Sequence, residues 1–406
     1  MTRALLDRAA HVARWVVLAS FVGAVAGVLS AAFIETLDWT TRTRGGSGWL
    51  VWLLPVAGLA VGSAYHYLGR GLERGSNLII EQIHVHSRWI PVRMSVLIFV
   101  CSAVSHLCGA SVGREGAALQ LAAGVTDPVS RRLGLDQRDR AVMLVAAIAG
   151  GFGSVVGVPV TGAVFALEVQ RTGRVDHEAI VPAFTASIVG TAVVRMTGVT
   201  RPGYASFPEF DWTSGMTWRI GLLGLACGLV AACYVTLTGL VRDTLARAVK
   251  WPPARPMIGG ALLLAIFLLG DWSDYQGLSL HLASQAFDGS VAGQWPVKIL
   301  LTSLSIGAGF VGGEVIPLFV TGALLGASTG QVLGGDPALF AMVGAVTMVS
   351  AALNTPVAGV FLGIELFGGP GVVLLAVACV MGYVGSGQVG IYSSQPVAAH
   401  KSGRRD

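Results

Sequence analysis

Apolar residues run along this chain in long blocks, roughly Trp15 to Leu37, Val51 to Leu68, Ser95 to Leu121, Ala141 to Glu168, Ile180 to Val194, Ile220 to Leu240, Met257 to Leu269, Ile299 to Val332 and Ala338 to Val384. An α-helix needs about 20 predominantly apolar residues to cross a bilayer core. The pattern therefore predicts an all-α polytopic membrane protein of some ten to fifteen helices, short and tilted ones included. Glycine and proline break several blocks, which predicts interrupted helices whose ends lie within the membrane. Polar residues between the blocks are rich in arginine. The basic clusters are Arg3, Arg8 and Arg14, then Arg131, Arg132, Arg138 and Arg140, then Arg242 to Arg255, then Lys401 to Arg405. These mark the expected cytoplasmic faces, with both termini on that side. The first block runs from Trp15 past Phe33 with no clear cleavage site, so it reads as an uncleaved helix and not as a signal peptide.

Composition narrows the class further. Hydrophobic residues are 53% of the 406 and charged residues only 12%, against about 25% charged in soluble domains. The net charge of +5 comes from the arginine-rich loops, and no basic run carries interleaved aromatics, so a nucleic-acid surface is not expected. Cys101, Cys108, Cys227, Cys233 and Cys379 lie in apolar segments without a C-x-x-C pair, which predicts buried free thiols and no disulfide framework or zinc site. His84 and His86 are two apart and do not share a helix face, so no metal pair and no cofactor is expected.

The chemistry concentrates in Gly113-Arg114-Glu115-Gly116, two ionisable side chains among glycines between apolar segments. A glutamate at membrane depth is costly and marks a functional site by default. The glycines allow backbone N–H groups to approach an anion, and a helix beginning at Gly116 would aim its positive end at the same place. Ionised Glu115 would compete for that site and withdraw when protonated. A structural carboxylate paired with Arg114 is the bland alternative.

An internal repeat extends the site. GREGAALQLAAG from Gly113 and GVPVTGAVFALEV from Gly157 correspond to GGEVIPLFVTGALLG from Gly312 and NTPVAGVFLGIEL from Asn354, at an offset of about 200 residues. Both halves contain P-V-x-G-x-x-x-x-x-E. Matching interrupted segments in two halves point to a binding site at mid-membrane, where the halves meet.

With these motifs in order, the chain resembles the CLC family of anion channels and anion/proton antiporters over most of its length. GREG matches the family's G-[KR]-E-G-P, GGEVIP its G-x-F-x-P region, GIYSSQ at Gly390 the segment with an anion-coordinating tyrosine, and GSNLIIEQIH at Gly75 the place of G-S-G-I-P. The resemblance implies one membrane domain of two inverted halves, about 13–198 and 216–395, with broken helices meeting at mid-membrane, and a homodimer with one pore per subunit in the cell (inner) membrane. Only a short polar tail, Pro396 to Asp406, follows GIYSSQ, so no C-terminal regulatory domain is expected. Carried over by residue, the resemblance makes Glu115 the gating, proton-accepting carboxylate. It places Gly75, Ser76 and Asn77, Gly113, Arg114 and Gly116, Gly313, Val315 and Ile316, and Tyr392 around the anion.

Departures from the common pattern narrow the branch. Ala117 replaces a proline, Asn77 and Ile79 depart from G-S-G-I-P, Val315 replaces a phenylalanine, and Val169 stands where chloride/proton antiporters have an internal glutamate, beside Glu168. This is similar to the fluoride-exporting branch, which implies fluoride/proton antiport, with Glu314 as the candidate internal proton carrier, placed by the repeat at the position equivalent to Glu115. Ser76 is typical of chloride-type members, so a chloride-selective channel or chloride/proton antiporter stays open. Other readings remain beside these: an interfacial belt role for Tyr392, a helix cap at Ser76, a structural role for Glu314. A membrane-embedded enzyme lacks its motifs, since no H-E-x-x-H or G-x-S-x-G is present.

Overall fold

The computed structural model describes residues 2–200, 203–210, 213–270, 272–290 and 293–397, with side chains from residue 6 onward. Arg3 and the cluster from Lys401 to Arg405 lie outside the described side chains. Among the described residues the structure is helical, with no strand beyond two isolated bridges.

Sixteen α-helices among the described residues fall into two runs of eight. The first holds α1 (Thr2–Gly46), α2 (Leu54–Leu68), α3 (Ser76–Val85), α4 (Arg93–Leu107), α5 (Glu115–Arg132), α6 (Gln137–Val156), α7 (Pro159–Glu168) and α8 (Ile180–Met196). The second holds α9 (Ser214–Ala248), α10 (Ala254–Leu269), α11 (Leu280–Phe287), α12 (Trp295–Ala308), α13 (Val315–Leu333), α14 (Pro337–Leu353), α15 (Pro356–Phe367) and α16 (Val372–Gly385). Each run opens with its longest helix, and packing repeats: α1 lies on α8 as α9 lies on α16, and α5 on α6 as α13 on α14. The runs meet where α2 packs on α10, α7 on α15 and α5 on α13.

The helix count exceeds the sequence expectation because glycine and proline split single apolar blocks. Gly109 (φ +94°) follows α4 and Gly309 (φ +108°) follows α12, each turning the chain back at the same point of its half. Gly157 (φ +93°) and Asn354 (φ +59°) end α6 and α14 in left-handed conformations. A proline then opens α7 and α15 at their first positions, where its missing N–H costs nothing. Six described helical segments are long and apolar enough to cross a membrane; the others are shorter apolar pieces packed between them.

Several basic residues tie neighbouring helix ends together. Arg14 pairs with Asp139 at 2.5 Å, joining the start of α1 to the start of α6. Buried Arg140 grips Asp127 at 2.6 and 2.7 Å and donates to the Arg88 carbonyl at 2.7 Å, while Arg88 donates to the Gly71 carbonyl. Four of the cysteines are buried, as expected, and Cys233 is exposed. Its thiol lies on the outer surface of α9, where lipid and protein are equally apolar neighbours.

Candidate anion site

Gly113 and Gly313 form the junction of the two halves. Each N–H donates to the other's carbonyl at 2.6 Å. The approach requires glycine on both sides: a Cβ on Gly313 would stand 2.8 Å from the backbone nitrogens of Glu115 and Gly116, and one on Gly113 would stand 2.8 Å from Pro317 Cδ. Two helix N-termini, of α5 and α13, are thereby brought together, and their unpaired N–H groups and dipoles favour negative charge.

Glu115 supplies that charge. Its side chain is 2% exposed, and one carboxylate oxygen accepts from Ile316 N and from Arg114 N, both at 3.3 Å. Arg114 Nε lies 3.6 Å from the other oxygen. The paired-carboxylate reading and the anion-site reading therefore describe one geometry, in which Glu115 sits on the first turn of α13 with Arg114 beside it. The helix begins at Glu115 itself, one residue before the expected Gly116.

Two cavities lie at this junction, and Glu115 lines the smaller of them. One of about 60 Å³ is lined by Arg114, Glu115, Tyr204, Phe152, Phe319 and Ile316 among others. The second, about 800 Å³, is lined by Ser76, Gly116, Gln120, Glu314, Tyr392 and the arginines Arg74, Arg242 and Arg255. Val315 lines both.

Ser76 and Tyr392 line the larger cavity. Ser76 makes no side-chain cap on α3, against the capping alternative; its hydroxyl donates to Gly116 O at 3.2 Å and faces the Tyr392 hydroxyl. Gly75 (φ +54°) lets α3 start there, its missing Cβ leaving room for Gln120. Asn77 lines the same cavity and ties it to the C-terminal segment. Its N–H donates to Arg74 O at 3.0 Å, and its side-chain oxygen accepts from Ser394 N at 3.0 Å and from Ser393 Oγ at 3.4 Å. Arg74 reaches Ser394 Oγ at 2.8 Å, and Ile391 N donates to Ala352 O at 2.9 Å. Tyr392, 8% exposed, is thus pinned from both sides into the cavity wall and does not lie in an interfacial belt.

Glu314 departs from its expected alignment. Because Gly113 pairs with Gly313, Glu314 corresponds to Arg114, both being the N-cap residues of their helices, and Val315 corresponds to Glu115. Inverted symmetry sends equivalent side chains to opposite sides, so Arg114 lines the small cavity and Glu314 the large one.

Three groups at the site are not singled out by the sequence. Gln120 follows Gly116 by one helical turn and donates to its carbonyl at 3.2 Å, a spacing the sequence does offer. Tyr204 comes from the connection between α8 and α9 and packs on Phe287, Phe319 and Phe367. Tyr234, fully buried in α9, faces Glu314. His84 and His86 form no pair: the His84 ring bonds Gln170 O at 2.9 Å and His86 ends α3 at φ +52°.

Comparison with known proteins fits this geometry. The chain is 38% identical to a protein of Pseudomonas syringae pv. tomato named chloride/fluoride channel protein, over 98% of this chain and 90% of that one. It is 26% identical to a proton/chloride exchange transporter of Vibrio vulnificus, over 86% of this chain and 81% of the relative. Among solved structures it superposes with a CLC-type fluoride/proton antiporter at a TM-score of 0.92 and 27% identity, covering 95% of this chain and 98% of the other. A slow cyanobacterial chloride/proton antiporter, 19% identical over 92% of this chain and 94% of its own, shares the fold at a TM-score of 0.78. The sequence signature described as voltage gated chloride channel matches residues 57–387, and this chain belongs to that family, the CLC anion channels and transporters.

Proposed function

We propose that the protein exchanges halide for protons across the membrane, with fluoride as its anion. One observation carries the reading: a titratable carboxylate, Glu115, sits on the N-terminal turn of α13 at the place where backbone donors would receive an anion. Ionised, it occupies the path between the two cavities. Protonated, it loses the charge that holds it to the N–H groups, and a halide entering from the large cavity takes its place. The anion then meets neutral donors, the Ser76 and Tyr392 hydroxyls and the helix ends, which replace water without trapping it by full charge. Arg114 beside the carboxylate and Arg74, Arg242 and Arg255 in the large cavity add attraction at the approaches. With Val169 in place of an internal glutamate, Glu314 is the carboxylate that can carry protons on the side of the large cavity.

Fluoride is favoured by the likeness to the chloride/fluoride channel protein and to the fluoride/proton antiporter. A chloride-selective channel or antiporter is the second reading, supported by the Ser76 hydroxyl at the anion path. Parallel efflux of fluoride and chloride from liposomes separates them. Fluoride efflux faster than chloride efflux, accompanied by proton uptake, is the expected result; equal fluxes assign the protein to the chloride branch.

We also place the arginine-bearing face in the cytoplasm, on the positive-inside rule, which puts the protein in the inner membrane with the large cavity opening inward. A homodimer is proposed because α8 and α16 present apolar rows outward, Val181 and Ile188 on one and Val373, Val380 and Val384 on the other. Between them lie α7 and α15, of 10 and 12 residues. Helices that short leave polar ends inside the hydrocarbon unless protein covers them.

A further inference from the structure

The large cavity has a polar stripe of which the anion reading uses only the outermost arginine. Tyr234, Thr238 and Arg242 recur every four residues on one face of α9, and all three line the cavity together with Glu314 and Tyr392. Tyr234 is 1% exposed, in the middle of a long helix rich in apolar residues. Its hydroxyl faces the Glu314 carboxylate on one side and the Thr238 hydroxyl on the other. Glu314 in turn faces Tyr234 and the Arg242 guanidinium from α9, and Tyr392 from the C-terminal segment.

Neither the Tyr234 nor the Thr238 hydroxyl closes a hydrogen bond of ordinary geometry with a protein atom, although both oxygens are buried. Burying a hydroxyl without a closed bond is costly, and phenylalanine would pack there equally well, so the hydroxyl calls for a reason. A water between two such groups supplies one, and the cavity beside them has the room. Arg242 marks the open end of the stripe: its side chain is 71% exposed, with Nε 3.6 Å from Asp243. An anion is disfavoured along the stripe because the Glu314 carboxylate terminates it. A proton moving towards that carboxylate is favoured by the same charge.

We propose that the Tyr234–Thr238 face of α9 is the route by which protons from the large cavity reach Glu314, an inference that rests on the proton-carrying role proposed for Glu314 above. In the transfer step the Tyr234 hydroxyl gives its proton to the Glu314 carboxylate while its oxygen takes one from a water held at Thr238, and that water regains a proton from the solvent of the large cavity. One proton moves in net, and the tyrosine ends as it began. Tyr234 is then a relay for the proton half of the cycle and no part of the anion path.

The test measures fluoride-driven proton movement in proteoliposomes and fluoride affinity by calorimetry on the same preparations. Tyr234→Phe keeps the ring and removes the relay. It should slow coupled exchange by about tenfold or more with fluoride Kd unchanged, and Thr238→Val should slow it in the same sense. Exchange within twofold of wild type in Tyr234→Phe, in a preparation where Glu314→Gln is strongly slowed, overturns the route and leaves Glu314 in place. A Tyr234→Phe protein whose fluoride Kd weakens as much as its exchange slows also overturns it, since the tyrosine then belongs to the anion path. Unaltered exchange in Glu314→Gln removes the underlying reading, and the route with it.

Discussion

In the proposed cycle Glu115 bears the greatest functional weight, because its carboxylate accepts from the α13 N-terminus and would release it on protonation. Glu115→Gln fixes a neutral amide there. Proton movement driven by a halide gradient should disappear in the reconstituted variant, since nothing at that position titrates; pumping at the wild-type level would remove Glu115 from the proton cycle. Gly313 is the second residue whose identity is dictated by space. A Cβ there would stand 2.8–3.0 Å from the backbone nitrogens of Arg114, Glu115 and Gly116. Gly313→Ala must push the α5 N-terminus away from the α13 N-terminus, at a cost of about 1–3 kcal/mol for overpacking. A lower thermal midpoint in detergent together with weakened fluoride binding is expected, both read on one preparation. GREG and GGEV make these residues legible in the sequence, since a charge set among glycines at membrane depth is too costly to keep without a ligand or a partner. Gln120 and Tyr234 are silent there, because one polar side chain in an apolar helix looks the same whether it lines a cavity or merely packs.

Among the elements, α7 and α15 account for the repeated P-V-x-G-x-x-x-x-x-E. Glu168, at the end of α7, accepts from Val357 N and Ala358 N of α15 at 3.0 and 2.7 Å. Glu365 near the end of α15 accepts from Val160 N and Thr161 N of α7 at 3.0 and 2.7 Å, and from Thr161 Oγ1 at 2.6 Å. Two antiparallel helices thus cap each other. Each carboxylate satisfies first-turn N–H groups that have no partner within their own helix, and its charge complements the partner's dipole. The sequence displays both prolines and both glutamates but not this crossing, because pairing between residues some 190 to 205 apart is a property of the assembled halves. Glu168→Gln and Glu365→Gln should each lower stability by about 1–2 kcal/mol, the charge-assisted part of a helix cap, seen as a lower unfolding midpoint in detergent. Proton-coupled exchange should persist in Glu168→Gln. Its loss in a variant that still folds would make Glu168 a proton carrier and displace Glu314.

At the scale of the whole molecule, the exposed apolar rows on α8 and α16 predict two chains per particle. Light scattering corrected for detergent should give twice the mass of the 406-residue chain; a monodisperse monomer that still transports would mean that lipid alone covers those faces. Block length, low charge and arginine placement determined by themselves that the chain is a helical membrane protein, because the bilayer imposes one solvent on every helix and leaves only composition to read. The half-chain repeat likewise pointed to a meeting of the halves near Gly113 and Gly313, since broken helices at matching positions can pair there. What the tertiary structure alone decided is which side of the junction each group occupies. The repeat aligned Glu314 with Glu115, whereas the Gly113–Gly313 pairing aligns it with Arg114, and the inversion turns it into the large cavity. Asn77 likewise holds the segment carrying Tyr392. Linear order records neither the inversion nor the contacts between distant segments, and those two things set the direction in which a buried side chain points.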